Sequence, residues 1–227
     1  MAQNVTSNSL LIDWRPGLNK KQQNGTELTD QEALTTFSNW LRETGGVSSE
    51  TAAAARTHAE VRRFEREDSL FAAGDRPKCL YFVQSGLVRF YYLTRDGKEY
   101  NKSFASEGGV VTSMSTFLSG APSPFHTQAL EETITVALPM EFVRKQAATD
   151  LSLERLVNRF VVQLAVKKEQ REASFLLMDA GERYELFLED FSDLAPRLPL
   201  YHIASYLGIT PVALSRIRAR RTGRRAS

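Results

Sequence analysis

The 227-residue chain predicts an α+β protein: an antiparallel β-barrel of jelly-roll type with flanking helices, one long helix, and a C-terminal helix-turn-helix. Three observations carry this expectation. Residues 61 to 137 are short Phe/Tyr/Val-rich runs punctuated by Gly and Asp, the pattern of strands joined by turns. From Asp150 to about Met178, apolar residues recur at helical spacing. The last 28 residues, Leu200 to Ser227, hold Arg216, Arg218, Arg220, Arg221, Arg224 and Arg225 without one Asp or Glu.

That basic end is local. The whole chain carries +2, but seven arginines and no acid lie between residues 194 and 227, so residues 1 to 193 sum to −5. With 42% apolar residues the chain can build real cores, as one large domain or two modest ones. A single cysteine, Cys79, excludes a disulfide framework or a four-cysteine cluster within one chain and suits a reducing compartment; it is expected as a buried strand residue. No apolar stretch approaches membrane-spanning length, and Met1-Ala-Gln-Asn4 lacks the blocks of a secretion signal, so a cytoplasmic protein with no membrane partner is expected.

Taken in order, residues 1 to 28 form a polar arm with breakers at Pro16-Gly17 and Asn24-Gly25 and one apolar patch at Leu10-Leu-Ile12 and Trp14; most of it is expected to be disordered. Thr29 and Glu32 read as a capping box opening a helix in which Leu34, Phe37, Trp40 and Leu41 share a face, ending near Gly45-Gly46. A second helix covers Ser49 to His58. The clearest strands are Cys79 to Val83, Gly86 to Leu93, Lys98 to Phe104 and Thr133 to Leu138, with Asp96-Gly97 as a hairpin turn. A short helix follows at Met140 to Ala147. Asp150 then caps the long helix, which at 1.5 Å per residue spans on the order of 40 Å. Its stripe of Leu153, Leu156, Val157, Phe160, Val161 and Leu164 is wider than one sheet needs, which points to a partner helix, although a stripe packing only on its own strands reads the same way. Ala180 to Leu198 reads as helical with a loop at Ala195-Pro196, and no wing hairpin is identifiable.

Leu200 to Leu207 predicts a short helix with Ile203, Ala204 and Leu207 on one face, closed by Gly208. Thr210 is a good N-cap and Pro211 a good first residue for the next helix, whose Leu214 and Ile217 face inward. This is helix-turn-helix spacing. A major groove accepts one such helix, so Pro211, Val212, Ser215 and Arg216 are candidate base contacts, with Arg216 able to fork onto a guanine. Thr210, Arg218, Arg220 and Arg221 are candidate phosphate contacts. The bland reading is a helical hairpin with a solvated arginine end.

The barrel, long helix and helix-turn-helix together resemble the Crp/Fnr (catabolite-activator) family of bacterial transcription regulators over roughly residues 30 to 221. The resemblance is carried by Phe71-Ala-Ala-Gly-Asp75, Leu80 to Arg89, Gln128-Ala-Leu-Glu131, Ile203 to Pro211 and Leu214-Ser-Arg-Ile217. It implies a cyclic-nucleotide-binding-like sensor at residues 29–148, a dimerisation helix at 149–178 and a DNA-binding domain at 179–227, acting on double-stranded DNA as a homodimer. RNA polymerase and a small-molecule effector are further partners of such a regulator. The effector region implied lies around Gly108, Thr112, Ser113 and Gln128. Members that bind cyclic nucleotides use Gly-Glu and an arginine where Thr112-Ser113 and Gln128 align here. A neutral Gln cannot give an anionic phosphate a charge-assisted, bidentate contact, so cAMP binding is not expected and no cofactor is assigned. At Val212 many relatives place a Glu that accepts from cytosine N4, so an altered operator is expected.

No metal site is expected from His58, His126 and His202, which are scattered, and no nucleophile–base pair or phosphate-cradling loop suggests an enzyme or a catalytic residue. The competing class is a ligand-binding regulatory module that acts through protein partners without sequence-specific DNA binding.

Overall fold

The computed structural model describes residues 28–225, and side chains from 28 to 221. The arm expected at residues 1–28, with its Leu10 to Trp14 patch, therefore lies outside the described residues except for Leu28. Helix α1 (Asp30–Glu43) opens on the expected capping box: the Thr29 hydroxyl accepts from the Glu32 N–H, and the Glu32 carboxylate accepts from the Thr29 N–H at 2.9 Å. Helix α2 (Ser49–His58) follows after a turn.

Seven strands come next: β1 (Glu60–Phe64), β2 (Cys79–Ser85), β3 (Val88–Leu93), β4 (Glu99–Ala105), β5 (Val110–Val111), β6 (His126–Ala129) and β7 (Thr133–Pro139). They form two antiparallel sheets, ordered β1-β7-β2-β5 and β4-β3-β6, in a jelly-roll-like arrangement rather than a closed barrel. The chain passes from one sheet to the other at Gly86, whose φ is 109°. A Cβ there would lie 2.4 Å from Thr133 Oγ1, so both backbone and packing exclude a side chain. Helix α3 (Met114–Ser119) interrupts the Gly/Ser/Pro-rich segment between β5 and β6. Helix α4 (Met140–Ala147) and the 27-residue α5 (Leu151–Leu177) follow β7.

The N-cap of α5 fixes where that helix starts. Asp150 accepts from the Ser152 N–H and from the hydroxyls of Ser48 and Thr51, so one carboxylate ties α5 to α2. The hydroxyls of Ser152, Thr51 and Ser48 hold its pKa well below the usual carboxylate range. Leu153 and Leu156 then enter the core formed by Phe37, Trp40, Phe82, Val136 and Leu138. This corrects the assignment of these two residues to a dimer seam, because they are 5% and 6% exposed within their own chain. Val157 packs on the same core, while Phe160 and Leu164 are half-buried and Val162 is 54% exposed. Cys79 is also half-buried rather than buried.

Helices α6 (Ala180–Asp190), α7 (Leu200–Leu207) and α8 (Pro211–Arg225) complete the chain, and no strand follows Pro139 among the described residues. A wing is thus absent from the described part of the C-terminal unit. Among the described residues, no helix is long and apolar enough to cross a membrane.

Candidate nucleic-acid interface

The corner between α7 and α8 follows from three residues. Gly208 closes α7 with φ 70°, where its N–H bonds back to Ser205 O. A Cβ there would also come within 3.0 Å of the Phe175 ring on α5, so the turn is threaded close to another helix. Thr210 caps α8, its hydroxyl accepting from the Ala213 N–H at 3.2 Å and its carbonyl from the Leu214 N–H at 3.0 Å. Pro211 begins the helix without sacrificing a donor.

Helical spacing then separates two faces. Leu214 is fully buried among Phe187, Leu198, Ile203, Ala204 and Leu207, and Ile217 packs on the same cluster. Pro211, Val212, Ser215 and Arg216 lie on the exposed side, Val212 with 62% of its surface open. All four residues proposed to read bases are thus presented together beside the positive end of α8. Arg218 and Arg220 are exposed as well. Arg221 differs, because its guanidinium is 2.7 Å from the Glu185 carboxylate of α6. That ion pair makes it less available to a phosphate than its sequence position suggested.

The helix-turn-helix is seated on the sheet β4-β3-β6. Asn101 of β4 gives its N–H to the Ser205 hydroxyl (2.9 Å) and its side-chain amide to the His202 carbonyl (3.0 Å), with His202 Nδ1 3.1 Å from the same nitrogen. Both contacts need Asn101 Nδ2 as donor, so His202 Nδ1 is the acceptor and carries no proton. Burial, aided by the nearby Arg89 charge, pushes the His202 pKa down to about 4. Arg197 donates to both Glu107 oxygens (2.9 and 3.0 Å) and to Glu131, clamping the segment before α7 to the loops beside β4 and β6. Arg171 of α5 stacks on Tyr206, 3.8 Å from its ring centroid, and donates to the carbonyls of Asn101 and Tyr206. Sequence reasoning missed all of these contacts. Asn101 carried no separate signal, because Lys98, Glu99, Lys102 and Ser103 make the same strand run polar throughout.

The expected effector residues do not converge. Gln128 lies on the face of β6 that looks toward the helix-turn-helix, accepting from Arg89 Nε (2.8 Å) and donating to the Glu67 carbonyl. It lines a cavity of about 220 Å³ with Arg66, Arg89, Tyr201 and His202, outside the space between the sheets. Thr112 instead borders an apolar groove between α1 and α5, where its hydroxyl is buried with no hydrogen-bond partner. Ser113 bonds with Ser115 and Thr116, and Gly108 makes a turn at φ 78°. The grouping of Gly108, Thr112, Ser113 and Gln128 as one pocket is corrected by strand parity: Gln128 shares a face with Arg89, whereas Phe90 and Ala129 point into the inter-sheet core. That core is filled by Phe71, Phe90, Phe125 and their neighbours.

A cyclic nucleotide-binding domain model matches residues 61–150. The fumarate and nitrate reduction regulatory protein of Vibrio cholerae is 29% identical over 170 residues, which is 69% of this chain and 66% of that protein. FixK2 from Bradyrhizobium japonicum superposes with a TM-score of 0.65 at 22% identity, covering 73% of this chain and 85% of its own. The chain has the fold of the Crp/Fnr regulators. The same Crp/Fnr fold is found in CLP of Xanthomonas campestris, a c-di-GMP-responsive global regulator, with a TM-score of 0.62 at 19% identity over 78% of this chain and 92% of CLP. The chain spans about two thirds of the length of the Vibrio regulator, so the Crp/Fnr likeness establishes architecture, with residues 61–150 as its cyclic nucleotide-binding-like half. Among the described residues, no group of three or more His, Cys, Asp or Glu is arranged to hold a metal.

Proposed function

We propose that this protein is a DNA-binding transcription regulator of the Crp/Fnr type that works as a homodimer and is not an enzyme. The observation that carries the reading is the α8 face: Pro211, Val212, Ser215 and Arg216 are exposed on one side of a capped helix whose other side is locked by Leu214. Arg216 reads a guanine and Val212 touches a thymine methyl, while Arg218, Arg220 and the N-terminus of α8 at Thr210 follow phosphates. The similarity to the Vibrio cholerae regulatory protein and to the global regulator CLP supports the same reading.

Val157, Phe160 and Leu164, with the exposed Val162, form the part of α5 available to a second copy. The sensor half does not take cAMP, since Gln128 is turned away from the inter-sheet space and already engaged by Arg89. CLP responds to a different nucleotide, which supports a change of signal on this scaffold. RNA polymerase is the further partner, and the site of action is the cytoplasm.

Fluorescence polarisation with promoter fragments tests the proposal. Binding should weaken roughly a thousandfold between 50 and 200 mM salt if six or more phosphates are neutralised by the dimer. Binding that ignores salt, or that does not separate a selected operator from its scrambled form, would refute DNA reading and leave the protein-partner module in its place.

A further inference from the structure

We propose that the cavity between the outer face of the β4-β3-β6 sheet and the start of α7 binds a small zwitterion of the amino-acid type, its carboxylate on Arg66, Arg89 and His202 and its ammonium on Glu67. The site lies outside the inter-sheet space. Its chemistry is independent of whether α8 reads DNA, and only the consequence for DNA rests on that reading.

The sheet side of the cavity is a buried cation with one nitrogen unused. Arg89 of β3 is 5% exposed and pairs in register with Gln128 of β6. Its Nε donates to the Gln128 side-chain oxygen at 2.8 Å, its Nη1 lies 2.6 Å from the Glu99 carboxylate, and the guanidinium stacks over Tyr91 at 4.0 Å from the ring centroid. Nη2 has no hydrogen-bond partner among the described residues. His202, 4% exposed, comes from the α7 side. Because its Nδ1 accepts from Asn101, the ring proton sits on Nε2, which also lacks an acceptor among the described residues. Two buried donors lining one space without an acceptor are what an anionic group satisfies. Helix α7 adds to this, since it opens at Pro199 with no side-chain cap and its positive end borders the same cavity.

The rim supplies both signs of charge. Glu67 is the single non-glycine residue with positive φ among the described residues, at 77°. Its N–H donates to the Ala129 carbonyl at 2.8 Å and its own carbonyl accepts from Gln128 Nε2 at 3.1 Å, so β6 holds this unfavourable turn in place. The turn sets Arg66 and Glu67 at the mouth of the cavity, and neither side chain is in an ion pair among the described residues. Glu99 is already engaged by Arg89, so the groups left over are three donors, on Arg66, Arg89 and His202, and one carboxylate. A bare anion would face Glu67, and a bare cation would face the three donors. A molecule carrying both charges meets all four. Leu130, Pro199 and the Tyr201 ring make the remaining wall apolar, and about 220 Å³ is below the roughly 300 Å³ at which ordinary ligand pockets begin, which suits an aliphatic amino acid rather than a nucleotide. Such a ligand joins α7 to the sheet, so its occupancy would bear on the unit that presents α8.

Isothermal titration calorimetry of the full-length protein with L-leucine tests the site, with 4-methylpentanoate and isopentylamine as the same skeleton lacking the ammonium or the carboxylate. L-leucine should bind saturably, and each truncated probe more weakly by on the order of tenfold. Arg66→Ala should weaken L-leucine and 4-methylpentanoate alike, whereas Glu67→Gln should weaken L-leucine alone; both side chains are exposed, so neither change removes core packing. Absence of L-leucine binding to the wild-type protein overturns the proposal. So does binding that survives both substitutions, which would seat the probe elsewhere, or 4-methylpentanoate binding as tightly as L-leucine, which would make the site one for simple anions. Operator binding measured on the same samples keeps the two readings apart: intact DNA binding without an L-leucine response removes only this cavity.

Discussion

Arg216 and Leu214 sit two residues apart on α8, one exposed and the other fully buried. Arg216 is exposed, so Arg216→Ala should leave the melting temperature unchanged while reducing discrimination between operator and scrambled DNA by about 1–3 kcal/mol in competition titrations. Equal loss on both duplexes would reassign it to the phosphates. His202 offers a second residue-scale prediction. Its proton affinity is lower folded than unfolded, so the unfolded chain binds more protons between the ordinary histidine pKa and about 4. Stability should therefore be complete above about pH 6.5 and fall as the pH drops toward 4. Protonation would also turn Nδ1 into a donor facing the Asn101 amide. Urea melts between pH 4 and 7 on the wild type and His202→Gln should show a shallower pH slope in the variant.

At the scale of elements, α5 behaves as two segments. Its first turns belong to the core of their own chain, and Leu153→Ala should cost about 2–5 kcal/mol in denaturant unfolding because it leaves a cavity among Trp40, Phe82 and Leu156. Leu164→Ala, at a half-buried position beyond that core, should cost less in unfolding and act on the monomer–dimer equilibrium in sedimentation. The sequence showed the stripe but could not divide it, since helical periodicity reports that a face is covered and not by which chain. Caps and turns were far more legible. Thr29 with Glu32, Asp150, Gly208, Thr210 and Pro211 each act locally, so their chemistry is written in residues a few positions apart. Helix α3 and the short β5 were hidden because a Gly/Ser/Pro-rich run gives no periodic signal, and their form is set by the sheets around them. Gln128 was misjudged for a related reason: reading along a strand gives alternation, but only the pairing of β6 with β3 decides which face is inside.

For the molecule as a whole, the junction between the β-sheets and the C-terminal helices is the feature with most influence. It joins the Arg197 clamp, the Asn101–His202–Ser205 contacts and the Arg171–Tyr206 stack. Arg197→Ala leaves Glu107 and Glu131 facing each other's charge without their shared cation, so residues 179–221 should become more susceptible to limited proteolysis in the segment around Pro196 to Pro199. Unchanged cleavage would show that the apolar contacts alone hold the unit in place.

Those apolar contacts have a thermodynamic corollary. Leu87, between β2 and β3, and Phe104 of β4 are buried in one continuous cluster with Phe187, Leu207 and Leu214 of the C-terminal helices. Two units sharing a hydrophobic interior cannot melt independently. Differential scanning calorimetry should therefore record a single cooperative endotherm, and any signal large enough to part the halves must expose greasy surface to water that another contact then has to cover.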